Sequence, residues 1–182
     1  MKTSRKLGIG IVLTGLMCLG LGPVLTHETR VGAGAALADG PNLPFPGTGN
    51  KQAWADALAT AKQAGRELEA RHFDAALKLD QQAIAKYPYD SHFYKQMGII
   101  HVRRGQPGDM KAGEELFKKA ISIKGDDPQY YSLLATILTE EKKYSEARAA
   151  LVKASQLNPT PAAAAEINRN IQQLDAVMKG RQ

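Results

Sequence analysis

The fold of this chain is decided by residues 128–161, PQYYSLLATILTEEKKYSEARAALVKASQLNPTP. Their pattern predicts two short helices with a break at Glu141-Lys142-Lys143 and a stop at Asn158-Pro159. The same layout occurs twice earlier in the chain, at about residues 57–90 and 91–127. Because self-similarity at a period of about 34 residues is typical of stacked helical hairpins, the sequence predicts an all-α solenoid.

Small residues recur at three equivalent sites in each of these repeats. Members of a site are separated by 34 or 37 residues, and the longer offset reflects a three-residue insertion within residues 105–111. A bulkier site is shared by Thr60, Tyr94 and Tyr131. Alanine or glycine lets two backbones approach closely, so the small sites predict where helices cross. The small sites are Ala64, Gly98 and Ala135; Ala76, Gly113 and Ala147; and Ala83, Ala120 and Ala154.

This arrangement resembles the tetratricopeptide repeat (TPR) family, with three repeats at about 57–90, 91–127 and 128–161 within residues 51–161. The resemblance implies that the first helix of each hairpin lines a concave groove where ligands bind. Residues 162–179 carry an apolar stripe at helical spacing, which predicts a final helix that caps the stack. The alternative for this stripe is docking onto a second molecule.

Under this resemblance the groove of repeats two and three is lined by eight candidate site residues. They are His92, Lys95, Ile99, Arg103, Gln129, Ser132, Thr136 and Glu140. The lining continues with Leu58, Ala61, Gly65 and Glu69 in repeat one, and with Glu166 and Asn170 in the last helix. A groove that is basic at its centre predicts a protein or peptide partner with an acidic group near an apolar side chain. The alternative is an ordinary solvated helix face.

Co-chaperone members of the family hold a C-terminal carboxylate with a clamp of lysine, arginine and asparagine side chains. The matching positions in this chain are Ala61, Gly65, Gln96, Gln129 and Leu133. Since none of them is lysine or arginine, we do not expect chaperone-tail binding of that kind.

Residues 1–38 are predicted to be a secretory signal peptide. Basic residues within 1–6 precede an uncharged apolar run over 7–22, and Ala36-Leu37-Ala38 forms an A-x-A cleavage site. We therefore expect a periplasmic or secreted protein. The alternative is an uncleaved membrane anchor that extends to Leu25, although the apolar run is short for a spanning helix.

Cleavage after Ala38 would change the cysteine count and the net charge of the protein. It removes the single cysteine, Cys18, and leaves 20 basic and 17 acidic residues, so the net charge falls from +6 to +3. That balance does not favour nucleic-acid binding. Residues 39–50, DGPNLPFPGTGN, are predicted to be a linker because of their prolines and glycines.

Two residues of the first repeat allow more than one interpretation. Trp54 is predicted to cover an apolar edge of the array, and the alternative is a partner-binding aromatic. Asp80 stands where the later repeats have Phe117 and Leu151. We expect a slight helix rotation that buries Leu77 or Leu79 instead of Asp80, and the alternative is a carboxylate paired with an arginine, Arg66 or Arg71.

No catalytic, cofactor or metal site is predicted. The four histidines are His27, His72, His92 and His101, and their spacing matches no metal motif. No G-x-S-x-G nucleophile motif occurs, so we do not expect an enzyme.

Two functional hypotheses follow from the sequence. The first is an exported adaptor or assembly factor that recruits a protein segment into the groove. The second is a structural protein whose array ends stack copy on copy, which predicts concentration-dependent oligomers that are lost on truncation at Pro161.

Overall fold

The computed structural model describes residues 46–180, which form seven helices and no strand. In chain order they are α1 (Lys51–Glu69), α2 (Phe73–Lys86), α3 (Ser91–Arg104), α4 (Asp109–Ile123), α5 (Pro128–Glu140), α6 (Tyr144–Ser155) and α7 (Pro161–Lys179). The predicted all-α fold is confirmed. The predicted signal peptide, and the predicted linker up to residue 45, lie outside the described residues.

Side-chain caps determine where the first helix of each hairpin begins. Asn50 caps α1, Asp90 caps α3 and Asp127 caps α5, and each accepts the backbone N–H two residues further on, at 2.8 to 2.9 Å. These bonds satisfy donors that a helix leaves unpaired at its N-terminus. The three first helices therefore start at equivalent points of their repeats.

The helices pack in order along the stack. α1 pairs with α2, α3 with α4, and α5 with α6, while α2 packs on α3, α4 on α5, and α6 on α7. The predicted small sites lie at these contacts. The alanines of the three sites are at most 2% exposed, and Gly98 and Gly113 are also buried.

Both glycines occupy places where a side chain does not fit. A Cβ on Gly98 would lie 2.7 Å from the Phe117 ring. A Cβ on Gly113 would lie 2.9 Å from Val102 and 3.0 Å from Ile137. The close approach predicted at these positions is therefore a steric requirement of the packed helices.

The repeats also share a backbone conformation in the turn between their two helices. Arg71, Gly105 and Lys142 occupy equivalent positions and have φ values of 62°, 67° and 61°. This left-handed conformation ends each first helix and lets the chain reverse. The repetition thus extends from side-chain size to the path of the main chain.

Trp54, on the first helix of the stack, has a buried side chain. Its side chain is 8% exposed and packs in a cluster with Ala57, Phe93 and other buried residues. The indole Nε1 donates a hydrogen bond to Asp90 Oδ2 at 2.9 Å. These contacts support the prediction that Trp54 covers an apolar edge.

Asp80 does not follow either interpretation made from the sequence. Its side chain is fully buried, at the core position that Phe117 and Leu151 occupy in the later repeats, so the predicted helix rotation is wrong. Gln96 donates to Asp80 Oδ1 at 3.2 Å, and Oδ2 receives no hydrogen bond from the described residues. Burial raises the pKa of Asp80 well above its usual value, which is the opposite of what pairing with an arginine produces.

The last helix closes one end of the stack. Ile167 and Leu174 of α7 are each 3% exposed, and they pack with Leu138, Ala147 and Leu151 of the third hairpin. α7 therefore takes the position of the predicted capping helix. Among the helices within residues 46–180, none is both long and apolar enough to span a bilayer.

Candidate functional site

The first helices of the hairpins are connected by polar side chains, and we call the surface of α1, α3, α5 and α7 the first-helix face. Between α1 and α3, Arg103 Nη1 lies 3.4 Å from Glu69 Oε1. Between α3 and α5, Lys95 Nζ donates to Gln129 Oε1 at 3.0 Å. The structure thus brings together candidate residues from separate repeats. Glu69 of repeat one forms an ion pair with Arg103 of repeat two, and Lys95 of repeat two bonds to Gln129 of repeat three.

The candidate residues on α3 differ in how they are exposed. His92 is 28% exposed by its side chain, Arg103 is 21% exposed, and Lys95 is half-buried. Ile99 is 3% exposed and lies in the core with Ile100 and Phe117. Ile99 therefore supports the face from beneath, and its side chain is not part of the accessible surface.

The candidate residues on α5 form a neutral polar row that ends in a carboxylate. Ser132 Oγ donates to the carbonyl of Pro128 and Thr136 Oγ1 donates to the carbonyl of Ser132, both at 3.1 Å. Their hydroxyl oxygens keep the capacity to accept. Glu140, the last residue of α5, is exposed.

A buried carboxylate positions His92 at one end of this face. Asp90 Oδ1 lies 2.9 Å from His92 Nδ1 and accepts the His92 backbone N–H, while Oδ2 accepts from Trp54. Burial alone would raise the pKa of Asp90, but the hydrogen bonds from His92 and Trp54 outweigh it and lower the pKa. The His92 ring also meets the edge of Tyr130, with centroids 6.3 Å apart.

The positions that match the chaperone-tail clamp have a structural role here. Ala61 and Leu133 are each 3% exposed, and Gly65 is buried. The Gln96 amide is 8% exposed and donates to the Ala61 carbonyl at 2.7 Å as well as to Asp80. Gln96 thus links α1, α2 and α3, and none of these four positions presents a cation to a ligand.

The enlarged turn between α3 and α4 is fixed by one aspartate. Asp109 is 3% exposed, and it accepts from Arg104 at 2.7 and 2.9 Å and from the Gln106 backbone at 2.8 Å. His101 Nδ1 lies 2.7 Å from the same carboxylate. The Arg104 guanidinium holds the pKa of Asp109 well below its usual range. The insertion is therefore anchored by charge-assisted hydrogen bonds.

A small cavity lies between α5, α6 and α7. Its lining combines apolar and uncharged polar side chains, and it has room for about one group the size of a water molecule. The equivalent core position is Phe117 in repeat two and the smaller Leu151 in repeat three, where Ala135 takes the place of Gly98. The lining residues are Ala135, Thr136, Thr139, Leu151, Asn170 and Leu174.

Within residues 46–180, no group of three or more histidine, cysteine, aspartate or glutamate side chains is arranged to hold a metal ion.

Comparison with known proteins identifies the fold. Residues 128–161 match the family model of the tetratricopeptide repeat. This is the stretch whose pattern predicts the repeats. The fold is a TPR-like helical solenoid.

Several solved structures superpose on most of this chain. The Arabidopsis OM64 TPR domain has a TM-score of 0.59 and 16% identity, covering 67% of this chain and 96% of its own. The first TPR of Spaghetti (RPAP3), bound to the HSP90 peptide SRMEEVD, has a TM-score of 0.61 and 14% identity, covering 69% and 94%. The Yersinia enterocolitica type III secretion chaperone SycD, in complex with a peptide of the translocator YopD, has a TM-score of 0.59 and 14% identity, covering 70% and 93%.

Because the sequence identities are low, these superpositions show that the chain has a TPR-like fold, and they do not by themselves indicate a ligand. The chain matches no curated protein.

Sequence reasoning missed the role of Asp90 and the cavity. Asp90 had a local signal, since it directly precedes the first helix of repeat two and aspartate is a preferred cap. The cavity had a weaker sequence signal, which is that repeat three has Leu151 at the position where repeat two has the larger Phe117. Neither signal shows that α7 completes the cavity, because that depends on how α7 docks on α6.

Proposed function

We propose that this chain is an exported TPR adaptor that binds a segment of a protein partner along the first-helix face. The observation that carries the proposal is the hydrogen bond from Lys95 to Gln129, which links the polar surfaces of α3 and α5, with His92 one turn earlier on α3. Solved TPR domains of the same fold are bound to short peptides of other proteins.

The chemistry of this surface favours an acidic group in the partner. His92 and Lys95 lie one turn apart on α3, so both can face the same bound side chain. Arg103 contributes less positive charge than the sequence suggested, because Glu69 pairs with it.

The mode of binding would differ from the chaperone-tail clamp. Four of the five clamp positions, Ala61, Gly65, Gln96 and Leu133, are buried, and the Gln96 amide is already used within the stack. An internal segment of the partner, rather than a free C-terminus, is thus the ligand that we infer.

Stacking of copies through the α7 end is disfavoured by its surface. The exposed side of α7 carries the polar residues Asn168, Arg169, Gln172 and Gln173. An apolar stripe would be needed for tight end-to-end association, and the apolar stripe of α7 is used against α6.

Export is part of the proposal and is supported by the leader-like residues 1–38. The intact mass of the protein recovered from its native cells tests it, since cleavage after Ala38 gives a chain that starts at Asp39. A full-length mass would favour the uncleaved anchor.

Crosslinking in the native cells, followed by identification of the attached protein, supplies the partner for a direct test. We expect Lys95→Glu to weaken the affinity for that partner at least about tenfold, because a like charge replaces an attractive one. Titration calorimetry with the purified proteins measures this.

The matched control is Lys78→Glu, which reverses an exposed charge on α2, away from the first helices. Because Lys95 also joins two repeats, urea unfolding must show that the variant remains folded. An unchanged affinity for Lys95→Glu, or an equal loss for Lys78→Glu, would contradict the assignment of the face.

A further inference from the structure

A buried carboxylate and a partly exposed imidazole form a pair at the start of α3. Asp90 is 4% exposed, and His92 Nδ1, the His92 backbone N–H and the Trp54 indole each lie 2.9 Å from its carboxylate. Burial raises the pKa of Asp90, but the hydrogen bonds outweigh this effect and lower the pKa, so the carboxylate is ionised at neutral pH. Since an ionised carboxylate only accepts hydrogen bonds, His92 Nδ1 carries a proton.

This contact determines what His92 offers to a ligand. It engages Nδ1 and leaves Nε2 as the ring nitrogen available on a side chain that is 28% exposed. In the neutral imidazole Nε2 accepts a hydrogen bond, and it donates one only after the ring takes up a second proton. A carboxylate is also an acceptor, so it binds at Nε2 only when a proton is bound there.

The negative and neutral groups around His92 favour this second proton. Asp90 compensates the charge of an imidazolium, because an opposite charge at hydrogen-bond distance stabilises the charged form. The edge of Tyr130, on α5, meets the His92 ring. Burial, with Asp127 and Asp126 nearby, raises the pKa of the Tyr130 phenol well above its usual value, so Tyr130 is an uncharged neighbour.

Lys95 is the positive neighbour of His92 on α3. It lies three residues further on and donates to Gln129 of α5, while Trp54, the α1 side chain of this network, is uncharged. In the free protein Lys95 opposes a positive charge on His92, since like charges one turn apart repel. A carboxylate bound beside both residues offsets this repulsion, so ligand binding and protonation favour each other.

We propose that the Asp90–His92 pair is a proton-linked receptor for the acidic group of the partner segment. His92 takes up a proton from solvent at Nε2 and donates it in a hydrogen bond to the partner's carboxylate, and no covalent bond of the partner changes. Asp90 is a positioning residue that orients the ring and compensates its charge. The inference rests on the proposed peptide-binding function and adds a pH dependence to it.

The direction of this pH dependence follows from the proton balance. The complex holds one more proton than the free protein wherever the free imidazole is neutral, so the affinity falls as the pH rises, by at most about tenfold per pH unit. An ammonium group keeps its charge between pH 6 and pH 8. Contacts with Lys95 alone therefore predict an affinity that is the same at both pH values.

Titration calorimetry with the purified protein tests the inference. The probes are overlapping synthetic 15-residue peptides that tile the sequence of the crosslinked partner. We expect the peptide that binds most tightly to lose affinity about tenfold between pH 6 and pH 8. At pH 7 the binding heat should differ between phosphate and Tris buffers, which shows proton uptake. Replacing the acidic residues of this peptide one at a time by their amides should identify one whose loss abolishes the uptake.

Two variants locate the proton. His92→Gln should abolish both the pH dependence and the uptake. Asp90→Asn keeps an oxygen that can cap α3 and removes the charge, so the fall in affinity should shift to lower pH. The matched control is His72→Gln, because His72 Nδ1 lies 2.9 Å from Glu67 Oε2 in a similar pair at the α1–α2 turn. It should change neither property, and urea unfolding establishes that each variant is folded.

The outcomes separate the two proposals. A peptide that binds the wild type and is weakened by Lys95→Glu, yet binds equally at pH 6 and pH 8 without proton uptake, overturns the proton-linked receptor alone. A pH dependence that persists in His92→Gln, or is lost in His72→Gln, also overturns it. If no tiled peptide binds the wild type, the peptide-binding function fails together with this inference.

Discussion

At the scale of single residues, Asp80 shows how one position can depart from the rule that its repeats otherwise follow. The later repeats place Phe117 and Leu151 at this core site, and the first repeat buries a carboxyl group there. Gln96 provides one hydrogen bond, and the other oxygen has none from the described residues. A group in this setting is held most easily in its neutral form.

The burial of Asp80 predicts a definite dependence of stability on pH. Because the folded-state pKa is raised, the contribution of Asp80 to the free energy of unfolding is highest below the unfolded pKa of about 3.9 and falls as the pH rises toward the folded pKa. Asp80→Asn cannot ionise and avoids this loss. We expect it to be more stable than the wild type by about 1–3 kcal/mol at pH 7.

Urea unfolding at pH 4 and pH 7 measures this difference. The advantage of Asp80→Asn over the wild type should grow between the two pH values. If the wild type instead gains stability relative to the variant as the pH rises, the ionised carboxylate is stabilised in the fold and our account of Asp80 is wrong.

At the scale of helix pairs, side-chain sizes at two equivalent sites compensate each other. Repeat two combines Gly98 with Phe117, whereas repeat three combines Ala135 with Leu151. The Phe117 ring lies 2.7 Å from the place of a Cβ on Gly98, which is too close for an alanine to fit without a shift. The glycine is therefore explained by the size of its neighbour across the helix contact.

This compensation predicts a coupling between the two sites. Gly98→Ala should lower the free energy of unfolding by about 1 kcal/mol, since overpacking costs about 1–3 kcal/mol and the gain in helix propensity returns about 1. Phe117→Leu should be less destabilising when Gly98→Ala is present than in the wild type. A double-mutant cycle by chemical denaturation measures the coupling.

Additive effects in this cycle would show that the two positions do not compensate. A stabilising Gly98→Ala would contradict the steric reason for the glycine.

At the scale of the whole molecule, the repeat pattern was sufficient to predict the stack. The small sites, the insertion and the final amphipathic helix are regular in sequence, and helical spacing places them on faces without further information. The regularity carries into the turns, where Arg71, Gly105 and Lys142 share one backbone conformation. Fold and element order were therefore predictable from one sequence.

The details of the face were less predictable, because they depend on how neighbouring helices cross. Ile99 has the spacing of a face residue, yet the structure buries it among core side chains. Arg103 has the charge of a ligand-binding residue, yet Glu69 of the preceding repeat lies 3.4 Å away. Such pairings join residues 34 positions apart in the sequence and follow from the angle between helices, which the pattern does not specify.

The central claim is that a partner segment lies along the first-helix face. Site-specific photocrosslinking in the native cells tests it most directly, with benzoylphenylalanine introduced either at the position of Ser132 on α5 or at exposed Gln82 on α2. We predict a covalent adduct with one partner protein from the Ser132 position and none from the Gln82 position. An adduct from the Gln82 position alone, or from neither position, would contradict the account.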